Sequence, residues 1–313
     1  MRMLVTGAAG FLGSHLAQRL VADGHEVVGV DDFSSGRWEN VADLVGSDRF
    51  HLVRGDVVEP LTVSGPLDRI FHLASPVSGH RERPIATLRT GAEGTRRLLD
   101  LAETAGAVFV LASSSEVYGD PEVHPQVETD AGRVNPVGPR ASYGEAKRFA
   151  ETLATAYAEA RGVAVRIARI FNTYGPRMRP DDGRVIPTFV TRALAGRPLP
   201  VFGTGQQTRS FCYVSDMVEA LLALAECDCA GPVNLGNPDE VRVLDLAREI
   251  LRLAGSRSSL EAAPLPPGDP ARRRPDVTLA LRTLGWRPTV SRREGLERTI
   301  DHFRRHEMSG DDA

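Results

Sequence analysis

A tyrosine and a lysine four residues apart, Tyr143 and Lys147, lie on one face of a predicted helix. A lysine cation beside a phenol favours the phenolate and lowers the pKa of the tyrosine, which can then exchange a proton with a hydroxyl group near neutral pH. Ser114 follows an apolar strand that ends at Ala112, where ligands bind in parallel sheets, so it could hydrogen-bond the same reacting oxygen. These residues predict proton transfer at a substrate hydroxyl. A packed tyrosine and serines that only cap a turn are the alternative.

Three glycines, Gly7, Gly10 and Gly13, follow a short apolar strand and begin a helix. The first permits a tight turn, the second lets the backbone approach a pyrophosphate, and the third lets the helix pack on the strand. The helix N-terminus supplies free N–H groups and a positive dipole to the phosphates. The pattern predicts a dinucleotide site, with glycines that serve only tight packing as the alternative.

Asp31 ends the next predicted strand, 18 residues after Gly13. A carboxylate there accepts hydrogen bonds from ribose hydroxyls and repels a 2′-phosphate, which favours NAD over NADP. Arg37 nearby weakly favours NADP instead. Asp56 and Val57 follow the third strand, where the adenine should lie. The residues expected to hold the cofactor are Gly7, Gly10, Phe11, Leu12, Gly13, Asp31, Asp32, Ser35, Gly36, Asp56, Val57, Ala74, Tyr143 and Lys147.

The elements that must position these residues alternate along the first half of the chain. Apolar runs predict strands at 3–6, 27–30, 51–53, 70–74 and 108–112, and an amphipathic stretch predicts a helix over 84–105. Strands that are apolar throughout and separated by helices indicate a parallel sheet that is covered on both faces. We therefore expect an α/β fold with a Rossmann-like, doubly wound parallel sheet.

Beyond about residue 173, proline and glycine become frequent, and the predicted strands at 199–202 and 232–235 stand isolated between helices. This change predicts a smaller C-terminal α/β substrate subdomain. The expected domains are residues 1–172 for NAD, 173–305 mainly for substrate, with segments that can cross back, and a tail at 306–313. Residues 261–274, rich in proline and arginine, are expected to form an exposed loop.

Composition narrows the class of protein. The 313 residues carry 38 Lys and Arg against 41 Asp and Glu, a net charge of −3, so no nucleic-acid partner is expected. The three cysteines, Cys212, Cys227 and Cys229, match no metal-ligand pattern, which predicts no metal and a reduced, cytoplasmic setting. No apolar run reaches the roughly 18 residues of a membrane span, and the first glycine comes too early for a signal peptide. No membrane partner is therefore expected.

Several longer segments carry a family resemblance: residues 115–126, 134–140, 166–178 and 207–214. With the motifs above, they resemble the extended short-chain dehydrogenase/reductase family in its nucleotide-sugar branch, most of all the UDP-glucuronic acid decarboxylases, from residue 1 to about 305. The resemblance implies NAD-dependent decarboxylation of UDP-glucuronate to UDP-xylose through a 4-keto intermediate, with NAD recycled internally. It also implies a homodimer, formed by the helices that begin near residues 84 and 143.

The same resemblance assigns roles to individual residues. Ser114, Tyr143 and Lys147 match the family triad, Glu116 matches a carboxylate of the decarboxylases and 4,6-dehydratases, and Arg273 matches an active-site arginine of the decarboxylases. These five form the expected catalytic set. The residues that the resemblance places against the UDP-sugar are Ser115, Glu116, Arg140, Asn172, Arg184, Val185, Gln207, Arg209 and Arg273.

Departures from the decarboxylase pattern keep other activities open. The segment 77–84 is shorter than in the family and has no tyrosine, so Arg81 or Arg83 either replaces the missing sugar contacts or is solvated. Gly91 and Thr188 each stand where the family tends to have asparagine. A 4-epimerase acting on UDP-glucuronate or UDP-glucose therefore remains an alternative. An NDP-glucose 4,6-dehydratase is a second one, although it would need an acid at Ser115, and a non-catalytic NAD-sensing scaffold is a third.

Overall fold

The structure, a computed structural model, describes residues 1–76, 83–138, 141–266 and 269–306. The strands are β1 (Arg2–Thr6), β2 (Glu26–Asp31), β3 (Phe50–Arg54), β4 (Arg69–His72), β5 (Val108–Ser114), β6 (Val165–Ile170), β7 (Thr173–Tyr174), β8 (Leu199–Phe202), β9 (Thr208–Ser210), β10 (Cys212–Tyr213), β11 (Pro232–Leu235), β12 (Glu240–Arg242), β13 (Leu260–Ala263) and β14 (Arg272–Arg273). The α-helices are α1 (Phe11–Ala22), α2 (Pro84–Arg89), α3 (Thr95–Ala105), α4 (Ala141–Arg161), α5 (Val185–Leu194), α6 (Val214–Glu226), α7 (Val243–Ala254), α8 (Thr278–Leu284) and α9 (Arg292–His306).

Seven parallel strands form the central sheet, in the order β11-β6-β5-β4-β1-β2-β3. The order reverses at β1, which has β2 on one side and β4 on the other. Ligands of open parallel sheets bind beyond the carboxyl ends of the strands at such a point. The predicted Rossmann-like, doubly wound sheet is confirmed.

Alternation along β1 explains why helices cover both faces of the sheet. Met3 and Val5 pack in one apolar cluster with Leu16 of α1, whereas Leu4 packs in another with Leu98 of α3. Successive side chains of a strand point to opposite faces, so an apolar strand needs a partner layer on each side. A third cluster joins α5, α7 and α9 and lies in the second half of the chain.

Two expectations for the second half of the chain are wrong. Strand β11 is not isolated, because it pairs in parallel with β6 at the edge of the central sheet. Residues 261–274 are not simply an exposed loop, because β13 pairs with β8 and β14 pairs with β9. Such short strands depend on partners far away in sequence, and local composition does not reveal them. The division into domains stays a prediction.

The predicted helix over 84–105 is present as α2, a π-helical turn over Thr90–Gly94, and α3. A Cβ atom on Gly91 would lie 2.7 Å from the Cβ of Ala146 and 2.8 Å from its carbonyl oxygen. Because Ala146 belongs to α4, glycine at position 91 lets the two helical segments approach closely. Gly91 therefore has a packing role against Ala146, the neighbour of Lys147 on α4.

The cysteines lie in two places in the fold. Cys227 and Cys229 follow α6, with their Cα atoms 5.4 Å apart and their sulfur atoms in contact, and the reduced setting stays a prediction. Cys212 is a buried free thiol. In the described ranges no helix combines the length and apolar character needed to cross a bilayer.

Candidate active site

A cavity of about 760 Å³ lies beyond the carboxyl ends of the central strands. All the described residues of the predicted catalytic and substrate sets line it, as do all of the predicted cofactor residues except Gly36. Gly36 lies beneath that lining, since a Cβ atom there would be 2.6 Å from Oδ1 of Asp31. Arg81 and Arg140 fall outside the described residues, whereas Arg83 is exposed and lines the cavity.

The glycine turn brings backbone close to backbone at the end of β1. Gly7 has φ 72°, and a Cβ atom on it would lie 2.9 Å from the amide nitrogen of Ala74. A Cβ atom on Gly13 would lie 2.0 Å from the carbonyl oxygen of Gly7, so only glycine allows α1 to start this close to the strand. The first amide groups of α1 therefore face the cavity as an anion site. This geometry fits a dinucleotide pyrophosphate.

Asp31 is buried at the end of β2. Its Oδ2 accepts a hydrogen bond from the amide of Ala9 at 2.9 Å, and its Oδ1 accepts one from the amide of Phe33 at 2.8 Å. Burial raises the pKa of Asp31, although these hydrogen bonds oppose the shift. The amide of Gly10 also donates to this carboxylate, which keeps acceptor capacity that a ribose hydroxyl can use. Arg37 lies 3.8 Å from Glu39, an ion pair outside the cavity lining.

The predicted proton-transfer residues meet at the end of β5. Tyr143 and Ser114 share a hydrogen bond. Lys147, one turn further along α4, donates from Nζ to the carbonyl oxygen of Ala112 at 2.7 Å, and its Nζ lies 5.8 Å from the centre of the Tyr143 ring. Ser114 Oγ also accepts from the amide of Glu116 at 3.2 Å. A hydroxyl next to Tyr143 can therefore reach Ser114 as well.

The predicted net lowering of the pKa of Tyr143 is wrong, because burial outweighs the favourable charges around the phenol. Burial raises the pKa of Tyr143 to about 12, with the hydrogen bond to Ser114 and the charges of Arg184 and Arg273 opposing it. Burial likewise lowers the pKa of Lys147 to about 8, with Glu151 opposing that shift. Desolvation disfavours both charged forms, and burial is not visible in a four-residue spacing.

Arg273 occupies the cavity wall and not an exposed loop. Only 5% of the residue is exposed, and its Nη1 donates to Oε1 of Glu116 in a buried ion pair. Its Nη2 is 3.4 Å from the carbonyl oxygen of Gly119. The pairing brings the second half of the chain onto the loop that follows β5, beside Ser114.

Sequence reasoning missed two aspartates of this cavity and three arginines, Arg89, Arg177 and Arg179. Asp269 Oδ2 accepts from Nη2 of Arg209 at 2.8 Å, and Asp182 Oδ2 accepts from Nη2 of Arg184 at 2.6 Å. A signal was present, because each aspartate stands only a few residues from a predicted arginine. Seven arginines line the cavity: Arg83, Arg89, Arg177, Arg179, Arg184, Arg209 and Arg273. That concentration of positive charge suits a ligand with several anionic groups.

Comparison with known proteins agrees with this geometry. Residues 3–236 match the family described as "Epimerase: NAD dependent epimerase/dehydratase family". The chain is similar to UDP-glucuronic acid decarboxylase 1 of Danio rerio, with 52% identity over 306 residues, 97% of this chain and 73% of that protein. It is also similar to UDP-glucuronic acid decarboxylase 1 of Arabidopsis thaliana, with 49% identity over 315 residues, 100% of this chain and 72% of that protein.

A solved structure gives the same fold. The UDP-glucuronic acid 4-epimerase of Bacillus cereus, in complex with UDP-glucuronic acid and NAD, superposes with a TM-score of 0.87 at 29% identity. The match covers 97% of this chain and 99% of that one. The glycine turn and parallel sheet are thus those of a nucleotide-sugar enzyme fold.

Proposed function

The chain belongs to the NAD-dependent epimerase/dehydratase family, and from that premise we propose that it decarboxylates UDP-glucuronate to UDP-xylose. The observation that carries the proposal is the buried pair of Arg273 and Glu116, placed beside the hydrogen-bonded Tyr143 and Ser114. Decarboxylases that are identical to this chain at about half of the aligned positions, over nearly the whole of this chain, support the same activity.

The cofactor is NAD, and when bound here it would supply a reversible hydride acceptor for C4 of the sugar, so that the reaction would be redox-neutral overall. The glycine turn at residues 7–13 would hold its pyrophosphate by the amides of α1. Asp31 would accept from the adenosine ribose, and Asp56 and Val57 would contact the adenine. All of these residues line the cavity, with the exceptions of Ala8 and Ala9 in the turn.

Tyr143 carries the proton step. As the phenolate, which the charges of Arg184 and Arg273 favour, Tyr143 takes the proton of the C4 hydroxyl while C4 becomes a ketone, and Ser114 donates a hydrogen bond to the same substrate oxygen. The ketone lies β to the C6 carboxylate, so the electrons of the breaking C5–C6 bond pass into an enolate as carbon dioxide leaves. Tyr143 and Ser114 stabilise the enolate oxygen by hydrogen bonds. A proton then adds to C5, and C4 is reduced back to the alcohol with return of the proton from Tyr143.

Arg273 orients the carboxylate. A guanidinium and a carboxylate form a strong, planar pair in the ground state, which by itself opposes loss of the charge. Its contribution to rate must therefore come from holding the C5–C6 bond parallel to the π orbitals of the C4 ketone, which receive the electrons of that bond. Glu116 shares that guanidinium in this structure, and its negative charge disfavours a second carboxylate nearby. That repulsion is relieved when carbon dioxide departs.

The alternatives fit the site less well. Expulsion of water by a dehydratase needs an acid where this chain has Ser115, a neutral and buried hydroxyl. A scaffold that only senses NAD does not need the hydrogen bond between Tyr143 and Ser114, or Lys147 beside them in the wall of the cavity. A 4-epimerase uses the same oxidation at C4, but its 4-keto sugar must rotate in the site to present its other face. Here Arg273, which would hold the sugar carboxylate, is itself hydrogen-bonded to Glu116 and Gly119.

A cytoplasmic homodimer is part of the proposal. Helices α2 and α4 pack together and leave large apolar side chains in solvent: Ile85 is 73% exposed, Leu88 43% and Phe149 51%. Two copies related by a two-fold axis would bury this surface against itself. Light scattering should give the mass of two chains for the unaltered protein and of one chain for Phe149→Glu.

Incubation of the NAD-loaded protein with UDP-glucuronate, with products followed by mass spectrometry, tests the proposed reaction. Appearance of UDP-xylose supports it. UDP-galacturonate alone would support epimerisation, and loss of water from an NDP-glucose would support dehydration.

A further inference from the structure

We propose that Gln126 is a positioning residue for Arg273 and thereby sets the preference of the site for an acidic sugar. The inference rests on the proposed function, in which Arg273 receives the substrate carboxylate. Gln126 is 1% exposed and does not line the cavity. It therefore acts on the substrate only through its neighbours.

The first step is the way in which β14 is held. Backbone groups of successive residues in an extended strand point to opposite edges. On one edge, β9 pairs with Arg272 and Arg273, and Ser210 Oγ donates to the carbonyl oxygen of Arg273 at 3.3 Å. A two-residue strand held on one edge alone would be poorly fixed.

The second step is the contact on the other edge, which Gln126 supplies. Its side-chain Oε1 accepts from the amide of Arg274 at 2.8 Å. Its own amide donates to the carbonyl oxygen of Arg274 at 2.9 Å, and its carbonyl oxygen accepts from the amide of Asp276 at 2.8 Å. One buried glutamine thus satisfies both backbone groups of the residue that directly follows Arg273.

The third step is the anchorage of Gln126 itself. Its Nε2 donates to the carbonyl oxygen of Val123 at 3.0 Å, and its carbonyl oxygen accepts from Nδ2 of Asn234 at 3.0 Å. Asn234 lies on β11 of the central sheet, is fully buried, and accepts from the hydroxyl of Tyr118 at 2.7 Å. A chain of hydrogen bonds therefore runs from the edge of the central sheet to the backbone of Arg273.

These hydrogen bonds affect the orientation of the Arg273 guanidinium. An arginine side chain has many rotamers, and most of them are lost when it pairs with a carboxylate. A backbone that is fixed on both edges lowers this entropic cost, because fewer positions of the guanidinium are available beforehand. Without the Gln126 oxygen, the buried amide of Arg274 would lack its acceptor, and β14 would shift to find another. A displacement of about 1 Å at such a group can cost roughly 10²-fold in rate.

The experiment measures binding of UDP-glucuronate and UDP-glucose to the NAD-loaded protein by calorimetry, together with kcat and KM for UDP-glucuronate. Gln126→Met removes the acceptor while keeping the shape, and Gln126→Glu keeps an acceptor oxygen for Arg274. Gln206→Met, at an exposed glutamine, is the matched control. We expect Gln126→Met to weaken binding of UDP-glucuronate at least tenfold, to leave binding of UDP-glucose within twofold, and Gln126→Glu to recover part of the loss.

A double-mutant cycle separates positioning from general stability. In an Arg273→Ala background, Gln126→Met should change binding of UDP-glucuronate by less than twofold, because the group that it positions is already gone. Additive losses, or equal losses for both ligands, would overturn the proposal. If the unaltered enzyme binds UDP-glucuronate but releases no carbon dioxide, the proposed reaction fails, while the binding cycle still decides the role of Gln126. If Gln126→Met does not fold, the comparison of Gln126→Glu with the unaltered protein, in both backgrounds, decides it in the same way.

Discussion

Arg273 donates a hydrogen bond to Glu116 across 157 residues of sequence. The pair joins the loop after β5 to the short strand β14 and lies in the wall of the cavity that also holds Tyr143. It places a fixed cation and a fixed anion next to the proton-transfer group. This arrangement separates the site from a plain alcohol dehydrogenase site.

Replacement of Arg273 should affect the acidic substrate selectively. Loss of a charged hydrogen bond costs about 1.5–3 kcal/mol, so Arg273→Ala should lower kcat/KM for UDP-glucuronate by roughly 10- to 150-fold. Arg274→Ala is the control, because that side chain is 40% exposed, lies next to Arg273 in sequence and does not line the cavity. Steady-state kinetics and the midpoint of thermal unfolding check both variants. Full activity of Arg273→Ala would show that this arginine does not act on the substrate.

Tyr143→Phe should remove turnover and spare binding. The variant keeps the ring but loses the group that exchanges a proton with the C4 hydroxyl, and general acid–base groups contribute about 10²–10⁴-fold. Tyr157→Phe is a matched control on the same helix, because the hydroxyl of Tyr157 donates to Asp100 and lies outside the cavity lining. Single-turnover formation of NADH and calorimetric binding of UDP-glucuronate measure the two effects. A Tyr143→Phe enzyme with normal turnover would remove this residue from the mechanism.

The rate should fall at alkaline pH as Lys147 loses its proton. Burial lowers the pKa of Lys147 to about 8, from an ordinary value of 10.5. The groups that face it are Tyr143 and Glu151 on α4 and the buried imidazole of His72 on β4, whose own pKa of about 3 keeps it neutral. The lysine is charged below about pH 8 and neutral above it. Since its charge, 5.8 Å from the centre of the Tyr143 ring, favours the phenolate, kcat/KM should decline above that pH.

Glu151→Gln tests this origin of the alkaline limb. The negative charge of Glu151 raises the pKa of Lys147, so its removal should move the decline to lower pH. Glutamine keeps oxygen and nitrogen atoms near Ser113 and Arg169, which contact Glu151 at 2.5 Å and 2.8 Å. Glu159→Gln, an exposed position on the same helix, is the control. A pH profile that does not move in Glu151→Gln would assign the alkaline limb to another group.

Part of the site could be predicted from local pattern. The glycine turn, Asp31 and the spacing of Tyr143 and Lys147 each follow from one segment and its secondary structure, and the structure brings all of them to one cavity. The burial of Arg273 could not be predicted, because its partners Glu116 and Gly119 precede it by more than 150 residues. The raised pKa of Tyr143 was missed for a related reason, since desolvation depends on the packing of the whole site.

NAD should bind more tightly than NADP because of Asp31. Its carboxylate is held by the amides of Ala9 and Phe33 and faces the cavity, and repulsion between close like charges is worth about 1 kcal/mol or more. We expect at least a several-fold preference for NAD, reduced in Asp31→Asn, which keeps an acceptor for one amide. Asp23→Asn, at an exposed aspartate, is the control. Reactivation of stripped enzyme by each cofactor gives the ratio, and equal affinities in the unaltered protein would contradict this role.

The proposed reaction is tested most directly by the fate of the C6 carboxylate. UDP-glucuronate labelled with carbon-13 at that position is incubated with the NAD-loaded protein, and the released gas and the nucleotide sugar are analysed together. We predict labelled carbon dioxide in equal amount to UDP-xylose, with no net formation of NADH, and neither product with Tyr143→Phe. Recovery of the label entirely in UDP-galacturonate, with no labelled carbon dioxide, would contradict decarboxylation and establish 4-epimerisation instead.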